Sequence, residues 1–340
     1  MSGGVDSSVA AARLVRQGFA VIGVTLHLWD QPPGSGRGRC CAPEDVHDAR
    51  RVADRLGIAH YAFDRRDTFL RAIVQPFVED YLQGRTPSPC TLCNQTIKIP
   101  ALLRIADALG ASRVATGHYA RLARTAEGHP RLLRGLDARK DQSYYLYALA
   151  PEILERLLLP LGSSTKPEVR AEAVALSLPG AGKGESQDLC FVSGGSYYDV
   201  VERFAPDRIR PGSLVDAHGT VLSTHAGVHR FTLGQRKGLG LGAGPVRFVR
   251  AIEPQSGRVI VGDEASLLSS RIRVQNPSIA RGVELPLRAM VQVRYRHEPQ
   301  AAWLELEGDA LSIRFEQPVR AAACGQAAVA WVDDAVVAGG

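Results

Sequence analysis

Met1-Ser-Gly-Gly-Val-Asp-Ser-Ser8 opens the chain, and its reading decides the fold. Gly3 and Gly4 let the backbone close on a ligand, while Ser2, Ser7 and Ser8 offer hydroxyl donors. The small apolar residues Val9, Ala10 and Ala12, followed by a stop at Gly18, predict a helix over residues 7–17. A glycine-rich turn feeding a helix N-terminus suits phosphate, because free backbone N–H groups and the positive end of the helix dipole meet the same anion. The Gly-Lys-Ser/Thr ending of a Walker loop is absent, which disfavours ordinary NTPase chemistry.

Working outward, strands and helices alternate through residues 19–119. Phe19 to Trp29 is a β-rich apolar run, as expected of a strand buried on both faces. Pro43 opens a helix whose apolar stripe is Val46, Ala49, Ala53 and Leu56, with Gly57 as its stop. A strand over 58–63, helices over 68–82 and 99–109, and a strand-like stretch over 113–119 complete a parallel α/β pattern. After residue 205 the texture changes to Gly, Pro and short β-rich runs, at 258–261, 289–294, 303–306, 311–315 and 327–332. The expected organisation is a catalytic domain over 1–205, a small β-rich central domain over 206–268 and a C-terminal β-barrel over 269–340.

The net charge of +6 permits nucleic acid as a partner without demanding it. No apolar run approaches the ~18 residues of a membrane span. The N-terminus also lacks a secretory pattern, so the expectation is a cytoplasmic protein with no membrane partner. In that compartment six cysteines are read as catalytic, metal-binding or inert, not as a disulfide framework. Lysine is scarce: of 41 basic residues only Lys98, Lys140, Lys166, Lys183 and Lys237 are Lys. Those five mark positions where a compact ammonium matters, or they are survivors of a compositional bias.

Cys90 and Cys93 stand in a C-x-x-C spacing within Thr86-Pro-Ser-Pro-Cys-Thr-Leu-Cys-Asn94, and Cys190 follows Glu185-Ser-Gln-Asp-Leu189. Three readings compete. A zinc site needs a second ligand pair, and Cys190 has no Cys or His beside it in sequence. Buried structural thiols would be inert, although Pro-flanked loops are poor places for a packing role. A sulfur-handling pair makes chemical sense, since one cysteine can carry a persulfide that a second attacks. Lys98 and Lys183 would favour thiolates electrostatically.

The string SGGVDSS resembles the pyrophosphate loop of ATP-pyrophosphatases, which cleave ATP to AMP and pyrophosphate while activating a carbonyl oxygen. That resemblance implies an adenine-nucleotide α-hydrolase-like sheet with helices on both faces. It places ATP, with Mg2+, along Ser2, Gly3, Gly4, Val5, Asp6, Ser7 and Ser8, with Leu26 and Gly117 further along the cleft. Six strings, TPSPCTLCNQTIK, ATGHYARL, LLRGLDARKDQSYYLY, ESQDLCFV, FTLGQRKGLG and VRYRH, are together similar to the tRNA-specific 2-thiouridylase family.

By that resemblance ATP adenylates the C2 oxygen of a wobble uridine, Cys190 carries persulfide sulfur and Cys93 is the nucleophile. A transient Cys93–Cys190 disulfide is implied. Ser88, Pro89 and Cys90 would face the target base. His118, Lys140, Asp141, Gln142, Arg294, Tyr295 and Gln326 would contact tRNA, and a persulfide donor or relay protein is the implied partner. Each has an ordinary alternative: a core histidine, a helix cap at Asp141-Gln142, a solvated strand end at Arg294-Tyr295.

One position departs from the family. Some members carry Asp three residues before the nucleophile, where this chain has Cys90. Either another group handles the proton, or Cys90, Cys93 and Cys190 hold an iron–sulfur cluster with one open site. Two other readings remain: an amidating synthetase, for which no ammonia-supplying arrangement is apparent, and a non-catalytic tRNA-binding relative. Members of the family place a short apolar strand before the loop, so the expected natural start lies about ten residues upstream, as the central buried strand of such sheets requires.

Overall fold

A computed structural model describes residues 1–30, 43–182, 189–192, 195–242 and 244–340. The chain divides into two compact units, one of residues 1–73, 90–194 and 334–336, the other of 74–89, 195–333 and 337–340.

In the first unit the opening helix runs Val5–Arg16. Val9 is fully buried and Ala10 and Ala12 nearly so, which is why small residues occupy that face. They meet Val52, Tyr119, Leu161, Val169 and Ala173 in one core. Burying each Val or Leu contributes roughly 1.5–3 kcal/mol. Arg13 joins this helix to Lys166–Ala175 through Glu172, at 2.9 and 2.7 Å, and also donates to Pro160 O and Ser164 Oγ at 2.8 Å.

The strand Ile22–His27 pairs in parallel with Ala59–Asp64, from Ile22↔Ala59 to His27↔Asp64. Between them lies the helix Pro43–Leu56, which buries Ala49 and Ala53 of the expected stripe together with Val52, while Val46 and Leu56 are half-buried. A second parallel pair joins Val114–Ala115 to Leu157–Leu158. The parallel α/β reading therefore holds.

Three details differ from expectation. The run 19–29, read as a strand buried on both faces, shortens to Ile22–His27 and leaves Phe19 and Ile22 exposed. The strand read over 113–119 shortens to Val114–Ala115, because the chain turns at Gly117 to back the opening loop. The helix read over 68–82 begins at Arg66 and widens into a π-helical turn over Leu70–Val74 before resuming at Gln75–Leu82.

The second unit is mostly β. One four-stranded sheet has the order 221–225, 212–215, 258–262, 248–253, around Leu214, Val249, Val259 and Val261. Another group pairs antiparallel in the order 268–274, 310–320, 300–307, 287–292, 329–332. Alternation decides its faces: Ala302 and Leu304 are fully buried while Trp303 between them is 42% exposed. Among the described residues no helix is long and apolar enough to cross a membrane.

Candidate functional site

Gly3 sits at φ +64, the left-handed region, and Gly4 at φ −96, ψ 164 caps the helix without any side-chain bond. The first-turn N–H groups therefore receive no side-chain cap from the N-cap residue, as an anion site requires. Gly3 has a second reason to be glycine: a Cβ there would lie 2.4 Å from Asp45 O. Gly117 closes the loop from the other side, since a Cβ would lie 2.8 Å from the Asp6 carbonyl carbon and 2.9 Å from Ser7 N. The serines hold the cradle's shape. Ser2 N donates to Ser7 Oγ at 3.0 Å, and Ser8 Oγ donates to Gly4 O at 2.8 Å. Leu26 is half-buried on its strand opposite Phe63. Val5 and Ser8 are buried under the loop.

Asp6, in the helix's first turn, is bound on both carboxylate oxygens. Lys166 Nζ donates at 2.6 and 2.7 Å, and the Tyr119 hydroxyl donates at 2.7 Å. Tyr119 is fixed in turn by Gln142, whose Oε1 accepts from Tyr119 N at 3.0 Å and whose N donates to Tyr119 O at 2.8 Å. Asp141 accepts from Gly135 N at 2.9 Å and from Ser143 N and Oγ at 3.0 and 2.9 Å. The Asp141 and Gln142 side chains thus shape the turn they stand in, although Gln142, the N-cap of the helix Ser143–Leu146, makes no side-chain cap bond. Lys140 is half-buried in the same turn.

Cys90 is exposed, Cys93 is 4% exposed and Cys190 is half-buried. Cys90 and Cys93 lie on one helical turn, Pro89–Cys93, which passes directly into a π-helical turn over Asn94–Lys98. Such wide turns often mark functional positions. Burial raises the Cys93 pKa, and the Lys98 cation only partly opposes it. Lys98 thus acts in the expected direction, toward the thiolate, but desolvation of the charged form outweighs it. Lys183 and Glu185–Asp188 lie outside the described residues.

Cys190 is followed by Phe191, which packs edge-on against Phe69 and Trp29 at 5.8 and 6.3 Å. Among the described residues, which include all three cysteines, no group of three Cys, His, Asp or Glu is placed to hold a metal ion. The iron–sulfur ligand set is thus not assembled here.

His118 hydrogen-bonds Thr116 through Nδ1 at 2.9 Å. Burial, aided by the Lys98 cation, pushes its pKa down to about 3, so its ring is neutral at physiological pH.

In the second unit Ser88 is half-buried and Pro89 buried. Just ahead of them, Gln326 Nε2 donates to Thr86 O at 2.9 Å and to Pro87 O at 3.1 Å, and Thr86 N donates to Cys324 O at 2.8 Å. The amide of Gln326 is thus engaged with the segment that leads to Ser88-Pro89-Cys90. Arg294 and Tyr295 are half-buried in the turn after Leu287–Gln292, with the Gln292 amide donating to Arg294 O at 3.0 Å.

Sequence reading missed Lys166 and Tyr119 as partners of the loop. The scarcity of lysine was a usable signal for Lys166, but that residue lies outside every motif string.

Three family descriptions match in succession: "tRNA methyl transferase HUP domain" over residues 1–194, "tRNA methyl transferase PRC-barrel domain" over 198–263 and "Aminomethyltransferase beta-barrel domain" over 269–340. A relative from Sorangium cellulosum named tRNA-specific 2-thiouridylase MnmA is 53% identical across 100% of this chain and 90% of its own length. Relatives of the same name from Moorella thermoacetica and Paramagnetospirillum magneticum are 47% and 45% identical, each across 100% of this chain and 97% and 93% of theirs. Among solved structures, an NMN synthetase from Francisella tularensis aligns with a TM-score of 0.34 at 16% identity, over 60% of this chain and 74% of that one.

Proposed function

The chain belongs to the tRNA-specific 2-thiouridylase family, a family of tRNA sulfurtransferases, and from that premise we propose how its residues divide the work of tRNA 2-thiolation. Thiolation, not amidation, is the reaction of its relatives. ATP lies along Ser2–Ser8 with its phosphates on the uncapped N–H groups and its adenine toward Leu26 and Gly117. Mg2+ bound to the phosphates would supply charge neutralisation. The C2 oxygen of the wobble uridine attacks the α-phosphorus and pyrophosphate leaves, so that oxygen becomes part of a good leaving group.

Cys190 receives a persulfide from a sulfur donor or relay protein. The Cys93 thiolate attacks Cys190 Sγ, and the bond to the terminal sulfur breaks. That sulfur departs with the electron pair, attacks C2 and displaces AMP. Two electrons have passed to the product sulfur, and a Cys93–Cys190 disulfide remains for a thiol reductant to reopen. Ser88, Pro89 and Cys90 face the base, which must leave its stack to be reached. His118, Lys140, Arg294 and Tyr295 contact tRNA, whose shape and backbone are read by dispersed groups. Gln326 joins them while also holding Thr86-Pro87.

The observation that carries this reading is the presence, in one compact unit, of an uncapped phosphate cradle and the buried thiol of Cys93. The test incubates the full chain with unmodified tRNA, ATP–Mg2+ and a persulfide donor. The expected outcome is one AMP and one pyrophosphate for each 2-thiouridine formed. Thiolation accompanied by ADP and orthophosphate instead would contradict it.

A further inference from the structure

The two thiols of the sulfur path stand on different footings. Cys93 belongs to a helical turn, Pro89–Cys93, and is 4% exposed. Cys190 is half-buried and lies in neither helix nor strand. Residues 189–192 form a β-turn in which Val192 N donates to Leu189 O at 3.0 Å, with Cys190 and Phe191 as its two central residues. One such bond holds a turn's shape but not its place.

Phe191 holds its place. It is 3% exposed, and its ring meets Phe69 at 5.8 Å and Trp29 at 6.3 Å, with interplanar angles of 65° and 69°. Trp29 and Phe69 meet each other at 6.2 Å, so the three rings close a triangle. Edge-to-face contacts at these separations have a preferred geometry, and they fix orientation as well as position.

The socket for that ring is built before Phe191 enters it. Trp29 follows the strand Ile22–His27, and Phe69 ends the helix Arg66–Phe69, which follows the strand Ala59–Asp64. The two segments are stitched together: Arg65 N donates to His27 O at 2.8 Å, and the Arg66 guanidinium donates to Asp64 at 3.0 Å and to Asp30 at 2.6 Å. Both rings thus stand just past the carboxyl ends of a parallel pair, where sheets of this class bind their ligands. Burial alone would be met by any large apolar side chain. Attack on a sulfur–sulfur bond also needs direction, because the thiolate must approach along the bond it breaks.

We propose that Trp29 and Phe69 form a socket for Phe191, and that Phe191 is thereby a positioning residue that aims the Cys190 persulfide at the Cys93 thiolate. The inference rests on the persulfide reading above and adds to it the groups that orient the transferred sulfur. The rings take no part in adenylation, so their loss separates the two halves of the reaction.

A single-turnover experiment on the full chain tests this. Glutathione persulfide loads Cys190, releasing glutathione, and unmodified tRNA with ATP–Mg2+ is then added. AMP, 2-thiouridine and the Cys93–Cys190 disulfide are followed by mass spectrometry. Phe191→Ala is expected to slow disulfide and 2-thiouridine formation together about 10- to 100-fold, the cost of a misplaced reacting group, while AMP release on tRNA keeps the parent's rate. Phe191→Leu, which keeps an apolar side chain in the socket, recovers part of the loss. Phe69→Leu, 121 residues away in sequence, reproduces the same split. The rising limb of the pH profile stays where it is in all three, since none of them alters Cys93.

Sulfur transfer by Phe191→Ala at the parent's rate would overturn the proposal. So would AMP release and thiolation falling in parallel in both Phe191→Leu and Phe69→Leu, since the rings would then be core packing and nothing more. Undiminished thiolation by Cys190→Ser, with all rings intact, would instead remove the persulfide reading itself, and this inference with it.

Discussion

Replacing Cys93 or Cys190 with serine is expected to lower 2-thiouridine formation at least about 10³-fold, with tRNA and ATP binding retained. The reason is chemical. A serine oxygen at position 190 cannot store sulfane sulfur, and one at position 93 is a far weaker nucleophile toward a sulfur–sulfur bond. Adenylation needs neither thiol, so both variants continue to release AMP on tRNA, uncoupled from thiolation. Cys93 also sets a pH dependence. The attacking species is the thiolate, and burial holds the Cys93 pKa above its usual value. The single-turnover rate of sulfur transfer therefore rises with pH from neutrality upward. Lys98 pulls that pKa down, so Lys98→Met moves the rising limb to higher pH. Quenched-flow measurement of 2-thiouridine checks both results. Undiminished thiolation by either serine variant would remove that cysteine from the sulfur path.

The second large effect is expected at Gly3. Alanine there suffers twice: the residue keeps φ +64, and its Cβ would lie 2.4 Å from Asp45 O and 2.8 Å from Asp45 Cα. The opposing atoms are backbone, so the loop itself must move. The conformational strain alone is about 1–3 kcal/mol, and displacement of the uncapped N–H groups is expected to lower kcat/KM for ATP at least about 100-fold. Gly18→Ala is the matching control. It has the same left-handed backbone, φ +84, but nothing lies within 4 Å of its Cβ. That variant loses about 1 kcal/mol of stability and keeps its KM for ATP. Equal KM values for Gly3→Ala and the parent would show that phosphate does not bind on this turn.

Local signals carried much of this from sequence. Pro43 and Gly57 bracket the helix Pro43–Leu56, and short β-rich runs mark the strands around Leu304 and Ile313. Long-range contacts were not legible. Residues 74–89 read as part of a catalytic-domain helix and its following loop, yet they pack in the second unit, where Tyr81 stacks on Tyr197 at 4.4 Å. Nothing in a helical periodicity says which neighbour it will meet. The same limit hid Lys166, which lies 160 residues from Asp6. It also hid the internal bonds of Asp141 and Gln142, whose side chains brace Gly135 and Tyr119. Cys93 illustrates a different gap: a lysine five positions away is visible in sequence, but the burial that overrides it is not.

The most direct test of the central claim, that ATP activates the C2 oxygen before sulfur enters, follows that oxygen. Transfer RNA carrying ¹⁸O at uridine C2 is thiolated by the full chain with ATP, and the nucleotide products are weighed by mass spectrometry. Adenylation at C2 predicts one ¹⁸O in the phosphate of AMP for each 2-thiouridine and none in pyrophosphate. Unlabelled AMP, with the heavy oxygen released to water, would contradict it.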